Sequence, residues 1–177
     1  MILSLILTIF SVTFTLESTT EVKPSGVLPD SSTYTYERSA ISGQKGQMTA
    51  GNATRLELKG WDGYVIRSVE LKMRSNKSSG RGSLMMTIGD EEVWSIDDQD
   101  FCNDAWAGMY TTDWVSISKQ INVCVNNEPI EISISATENS LYIHSYTIYY
   151  EKAYHTVTPD LPSIPSVPLE AKAYTVY

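Results

Sequence analysis

The chain has little with which to do catalysis. Its 177 residues include only two histidines, His144 and His155, and two cysteines, Cys102 and Cys124. Three-histidine metal centres are therefore out of reach, and two cysteines alone cannot form a structural zinc site. A Ser–His–Asp triad needs a positioned imidazole, but His144 falls in an alternating segment, where a packed or exposed strand residue is the plainer reading. There is no Gly-x-Ser-x-Gly elbow, no His-Glu-x-x-His helix, no phosphate-cradling glycine loop and no Cys-x-x-Cys. Gly80-Arg-Gly82 is only a turn signal. Basic residues are scarce as well: 13 Lys and Arg stand against 21 Asp and Glu, for a net charge of -8. That balance argues against nucleic acid as a partner, because displacing counterions from phosphates takes clustered cations. The few that gather (Arg67, Lys72, Arg74, Lys77 and Arg81) read as a solvated strand face, with Lys72 and Arg74 on one side.

Past Leu16 no apolar run is long enough to cross a bilayer. Met1 to Leu16 is different: it is uncharged, has the length of a signal h-region and is followed by Ser, Thr and Glu. It lacks a leading Lys or Arg and a clean small-x-small cleavage site. The reading is an export signal over residues 1–20, giving a protein secreted or held at the extracellular surface with no membrane span in the mature chain; an uncleaved anchor or a buried strand is the alternative. Residues 21–32 then form a linker, 33–152 one domain, and 153–177 a tail. Thr156 to Pro168 is spaced with proline in a way that favours an extended, semi-rigid segment. In an oxidising compartment Cys102 and Cys124 are expected to pair, and a loop of that size contributes about 3 kcal/mol; two buried free thiols are the alternative. Asn52-Ala-Thr54 and Asn76-Lys-Ser78 match the glycosylation acceptor pattern.

Between these ends apolar and polar residues alternate with a period of two, the strand signal. Arg55 to Leu58 is a short case. Val65 to Met73 is longer, with Val69, Leu71 and Met73 directed to the core and Ser68, Glu70 and Lys72 away from it. The turn formers Ser75 to Gly82 join it to Ser83–Ile88 as a hairpin. Glu92–Ile96, Val115–Val125, Pro129–Ala136 and Leu141–Glu151 continue the pattern. Seven to nine short strands without a helix predict an all-β fold, an antiparallel β-sandwich of jelly-roll type, with a closed β-barrel as the alternative.

Two phrases, Ser75-Asn-Lys-Ser-Ser-Gly-Arg-Gly-Ser-Leu84 and Glu138-Asn-Ser-Leu-Tyr-Ile-His-Ser-Tyr-Thr-Ile-Tyr-Tyr150, resemble a β-rich module of unassigned biochemical function found in secreted and surface proteins. The resemblance covers residues 33–151. It implies a reused sandwich domain in extracellular proteins, and by analogy adhesion or glycan binding.

Periodicity stops from Asp97 to Trp114, where acids and aromatics crowd together; long ordered loops tend to carry function. Asp97, Asp98, Asp100 and Asp104 are oxygen donors of the kind Ca²⁺ requires, although their spacing is not that of an EF-hand and a solvated acidic loop is the plainer reading. Paired carboxylates for glycoside hydrolysis are a remote third option. Trp106, Tyr110 and Trp114 are the candidate ligand-binding rings, since flat apolar faces beside amides and carboxylates are what sugar rings stack on. Trp94 is expected inside, and Trp106, flanked by Ala105 and Ala107-Gly108, outside. Simple alternation puts Tyr142, His144, Tyr146 and Tyr150 on one strand face, with Leu141, Ile143 and Tyr149 on the other. The expected function is a non-catalytic binding module for carbohydrate, with calcium as a candidate cofactor; the alternative is a structural or adhesive domain that contacts a surface protein.

Overall fold

The computed structural model describes residues 8–17, 21–39, 46–75 and 77–153. They form an antiparallel β-sandwich with jelly-roll character. One sheet holds β2 (Val22–Gly26), β1 (Phe10–Leu16), β11 (Leu141–Lys152), β6 (Tyr64–Ser75) and β9 (Val115–Cys124), in that order, with β4 (Gln47–Met48) pairing to β11. The other holds β3 (Thr33–Arg38), β5 (Asn52–Lys59), β10 (Ile130–Glu138), β7 (Arg81–Ile88) and β8 (Glu91–Asp100). The two sheets do not close on each other, so the barrel alternative is set aside. The only helical turn among the described residues is a 3-10 turn at Asp104–Trp106.

Alternation builds the core. Val69, Leu71 and Met73 of β6 face Leu56 and Leu58 of β5 and Ile130, Ile132 and Ile134 of β10 across the sandwich, and all are buried. Each such side chain contributes about 1.5–3 kcal/mol by leaving water. Beneath β3 lies a polar exception: Thr54 Oγ1 and Tyr146 Oη share a hydrogen bond of 3.2 Å, and Tyr36 meets Tyr146 edge-on at 6.3 Å.

The N-terminus departs from expectation. Phe10–Leu16 is an interior strand, with Phe10 opposite Tyr150 and Thr15 opposite Ser145 on one side, and Val12 to Leu16 opposite Gly26 to Val22 on the other. Val12 and Phe14 are completely buried. Cleaving residues 1–20 would strip a strand from the middle of a sheet, so the buried-strand alternative replaces the signal reading. The sandwich begins at β1, not at residue 33, and the expected linker contains β2. Residues 1–7 and the proline-spaced tail from 154 onward lie outside the described residues, as does Asn76.

The disulfide is also corrected. Cys124 pairs across to Val65, at the start of β6. Cys102 lies by the other end of that strand: Phe101 N–H donates to Gly80 O at 2.9 Å, the Cys102 thiol approaches Ser78 O at 3.4 Å, and Gly80 packs against the Ser75 hydroxyl. The run from Val65 to Ser75 spans about 33 Å at strand rise, whereas bridged Cα atoms lie within about 7 Å. Both cysteines are free, one exposed and one half-buried.

Candidate functional site

The acidic stretch does not act as one loop. Asp97, Asp98 and Asp100 belong to β8, an edge strand paired to β7, and successive residues of a strand point to opposite faces. Arg81 neutralises this end, its Nε 3.3 Å from Asp98 Oδ2 and its Nη1 3.5 Å from Asp100 Oδ1. Thr137 Oγ1 donates to Asp98 Oδ1 at 2.5 Å, and this bond, followed by Arg81, holds the Asp98 carboxyl below its usual range. Asp104 sits in the 3-10 turn that Asn103 caps through Ala105 N–H, at 2.9 Å. The four expected calcium ligands are thus not brought together, and among the described residues no three His, Cys, Asp or Glu side chains converge as a metal site requires. Asn52, the described acceptor asparagine, spends its amide on Thr49 and Ala50 carbonyls and the Thr49 hydroxyl.

From Phe101 onward the chain divides into a buried half and an exposed half. Phe101, Trp106 and Met109 are fully buried, with Phe101 and Trp106 edge-to-face at 5.4 Å. Gly80 and Gly82 admit the Phe101 ring, since a Cβ on either would stand 2.6 or 2.9 Å from its carbons. Trp106, expected outside, is therefore a core plug, and its Nε1 has no hydrogen-bond acceptor among the described residues. Ser75 then clips the loop to β6: its N–H donates to Met109 O at 2.9 Å and its carbonyl accepts Thr111 N–H at 3.0 Å. Beyond the clip the rings face solvent, with Tyr110 50% and Trp114 37% exposed.

Trp114 does not stand alone. A β-bulge in β11 between Ile143 and Ser145 shifts the register against β6. The bulge reverses the alternation that simple counting gives: Leu141 and Ile143 stay inside before it, Tyr146, Ile148 and Tyr150 take the inside after it, and Tyr142 and His144 are left on the outer side. There the His144 ring meets Trp114 at 5.0 Å, inclined by 63°. The Arg74 guanidinium from β6 lies over Trp114 at 4.9 Å and over Tyr142 at 5.1 Å. Its Nη1 donates to Thr112 O at 2.5 Å, fixing the approach of the loop. Thr15, Leu16 and Glu17 from the end of β1 complete a cleft of about 270 Å³ with Trp114, Ile143 and His144. Burial first, and then the nearby Lys72 charge, lower the His144 pKa from its usual value.

Of the three expected rings, Tyr110 and Trp114 are exposed at one end of β6 and Trp106 is not. Arg74, Tyr142, His144 and Glu17 were not expected in a site: Arg74 read as a solvated cation, Tyr142 and His144 as members of one strand face with Tyr146 and Tyr150, and Glu17 as part of the signal. A larger depression, about 410 Å³, lies over Ser83, Ser95, Ser133 and Ser135 on the outer face of the other sheet. No aromatic ring lines it, and Ser83 and Ser135 already hydrogen-bond each other at 2.7 Å.

No protein-family model matches the sequence, and no curated protein matches it. Among solved structures, the chain is similar to a carbohydrate-binding module of Cellvibrio mixtus lichenase 5A in complex with cellotriose, at 15% identity and a TM-score of 0.39, covering 81% of this chain and 97% of that one. A C-terminal carbohydrate-binding module of the laminarinase LamC from Zobellia galactanivorans matches at 12% identity and a TM-score of 0.37, over 78% and 98% of the two chains. The PRD1 vertex protein matches at 13% identity and a TM-score of 0.40, over 82% and 96%.

Proposed function

We propose that this protein is a non-catalytic carbohydrate-binding module whose ligand lies on Trp114. The observation that carries the reading is the half-exposed Trp114 ring, braced by His144 and Arg74, at the mouth of a cleft bordered by Thr15 and Glu17. An indole face takes the apolar face of a sugar ring, while a hydroxyl, a carboxylate and a guanidinium beside it serve the sugar hydroxyls. The cleft falls below the roughly 300–1,000 Å³ of enclosed small-molecule pockets, as an open stacking platform would. Among the described residues Glu17 is the only carboxylate lining it, and hydrolysis of a glycosidic bond ordinarily uses two, which favours binding over turnover. An extracellular setting enters with the glycan ligand, not with the N-terminus.

The test is a glycan array probed with the full chain and with Trp114→Ala, each with calcium and with a chelator. Discrete hits that the variant loses and the chelator leaves intact are expected. Hits that survive Trp114→Ala would move the site elsewhere, and silence from a folded sample would overturn the reading.

A further inference from the structure

We infer that the Trp114 cleft selects acidic sugars, with Arg74 as the residue that recognises the anionic group; this rests on the glycan reading and sharpens it to a ligand class. Three of the other four arginines are held by carboxylates. Arg55 is paired with Glu57 and Glu131 at 2.8 and 2.6 Å, Arg67 with Glu151, and Arg81 with Asp98 and Asp100. Arg74 makes no ion pair among the described residues, and neither does its strand neighbour Lys72. In a chain of net charge -8, two neighbouring cations on one strand face thus stand without an ion-pair partner among the described residues.

Arg74 is also held in place. Its guanidinium is sandwiched by Trp114 and Tyr142, and its one hydrogen bond among the described residues goes to a neutral carbonyl, that of Thr112. Nε is buried with no acceptor. Stacking on two rings fixes the plane of the group without neutralising it, and a planar guanidinium matches the oxygens of a carboxylate or sulfate. Lys72 stands opposite Ser145, one position past His144, and adds a second positive charge on the same side. Three carboxylates border this group, the first being Asp113, which lies in the chain between Thr112 and Trp114, the two loop residues that Arg74 contacts. Glu17 lines the far lip of the cleft beside Thr15. Glu70 lies one outward position further along β6 and accepts the Ser116 hydroxyl at 2.8 Å. None of the three forms an ion pair with Arg74 or Lys72, so no carboxylate contact neutralises the guanidinium. A sugar stacked on Trp114 would present a ring substituent to Arg74 and hydroxyls to Glu17 and Thr15.

Matched ligands give the test. Oligogalacturonate and its fully methyl-esterified form share a ring and differ in the carboxylate, while sulfated and desulfated carrageenan oligosaccharides do the same for sulfate. Titration calorimetry of the full chain is expected to show at least one acidic member binding tenfold or more tightly than its neutral counterpart, with the advantage shrinking as salt is raised. Arg74→Gln should bring the pair to within about twofold, and Lys72→Gln should reduce the ratio by a smaller factor. Unfolding midpoints of both variants are measured alongside, and Lys72→Gln carries the test if Arg74→Gln fails to fold. Equal affinity for acidic and neutral members overturns this inference and leaves the glycan reading standing. No binding to any of them, in a sample that also ignores the array, overturns both.

Discussion

Trp106 and Trp114 lie eight positions apart in one irregular segment of similar composition, yet one is sealed in the core and the other faces water. The clip at Ser75 separates them. On the N-terminal side the chain folds back so that Phe101, Trp106 and Met109 are sealed in the core, with Phe101 seated against Gly80 and Gly82. On the C-terminal side it leaves the core and lays Trp114 against Arg74 and His144. Aromatic content alone therefore does not distinguish a stability element from a recognition element. What distinguishes them is the backbone bonding that decides which side of the sheet edge each ring takes.

That contrast can be broken first on the buried side. Trp106→Ala should cost about 3–5 kcal/mol, as removal of a fully enclosed aromatic does, and Phe14→Ala in β1 should fall in the same range; urea unfolding reads both. A loss below about 1 kcal/mol for Phe14→Ala would mean that the N-terminal strand is dispensable and would revive the export reading.

A smaller effect should come with alkali. Tyr36, Tyr146 and Tyr150 are all held above the usual phenol value of 10.0, mainly by burial, and Tyr150 is pushed up to about 12. Because the folded state binds these protons more tightly, their contribution is full below pH 10 and falls as pH climbs past it, where the unfolded chain ionises first. Thermal midpoints should therefore drop between pH 10 and 12 as tyrosinate absorbance appears, whereas an unchanged midpoint across that window would contradict the burial.

On the exposed side, Trp114→Ala should move the unfolding free energy by no more than about 0.5 kcal/mol while removing glycan retention on an affinity gel. Retention lost together with stability would erase the distinction between the two tryptophans. Smallest of all is the effect of reductant. With Cys102 and Cys124 at opposite ends of β6, adding dithiothreitol should leave the midpoint unchanged, and a fall of several degrees would restore the disulfide.

Much of the sandwich was legible because period-two patterning is a direct record of which residues leave water. Val69, Leu71 and Met73 could be placed inside from the sequence of β6 alone. The same pattern runs through Phe10-Ser-Val-Thr-Phe-Thr-Leu16, where threonine and serine alternate with large apolar residues, but the uncharged run around it read as an export signal. The site was less legible for two reasons. A bulge costs one residue and leaves no compositional trace, so the inward turn of Tyr146 and Tyr150 could not be counted from Leu141, and Tyr142 and His144 were grouped with rings that belong to the core. And Arg74 looks like any solvated cation until the loop from the far side of β6 brings Trp114 over it.

The pairing of β1 with β11 also bears on how the fold is reached. Thr13 and Thr147, bonded through their hydroxyls at 3.0 Å, are separated by 134 positions, so β1 has to wait for β11 before it gains this partner. Until β11 is made, β1 and β6 lack the neighbour that lies between them and expose strand edges ready to pair with another chain. Closing so distant a contact is entropically slow. Assembly of this sandwich therefore waits on β11, and the interval before β11 arrives is when the protein is most exposed to aggregation.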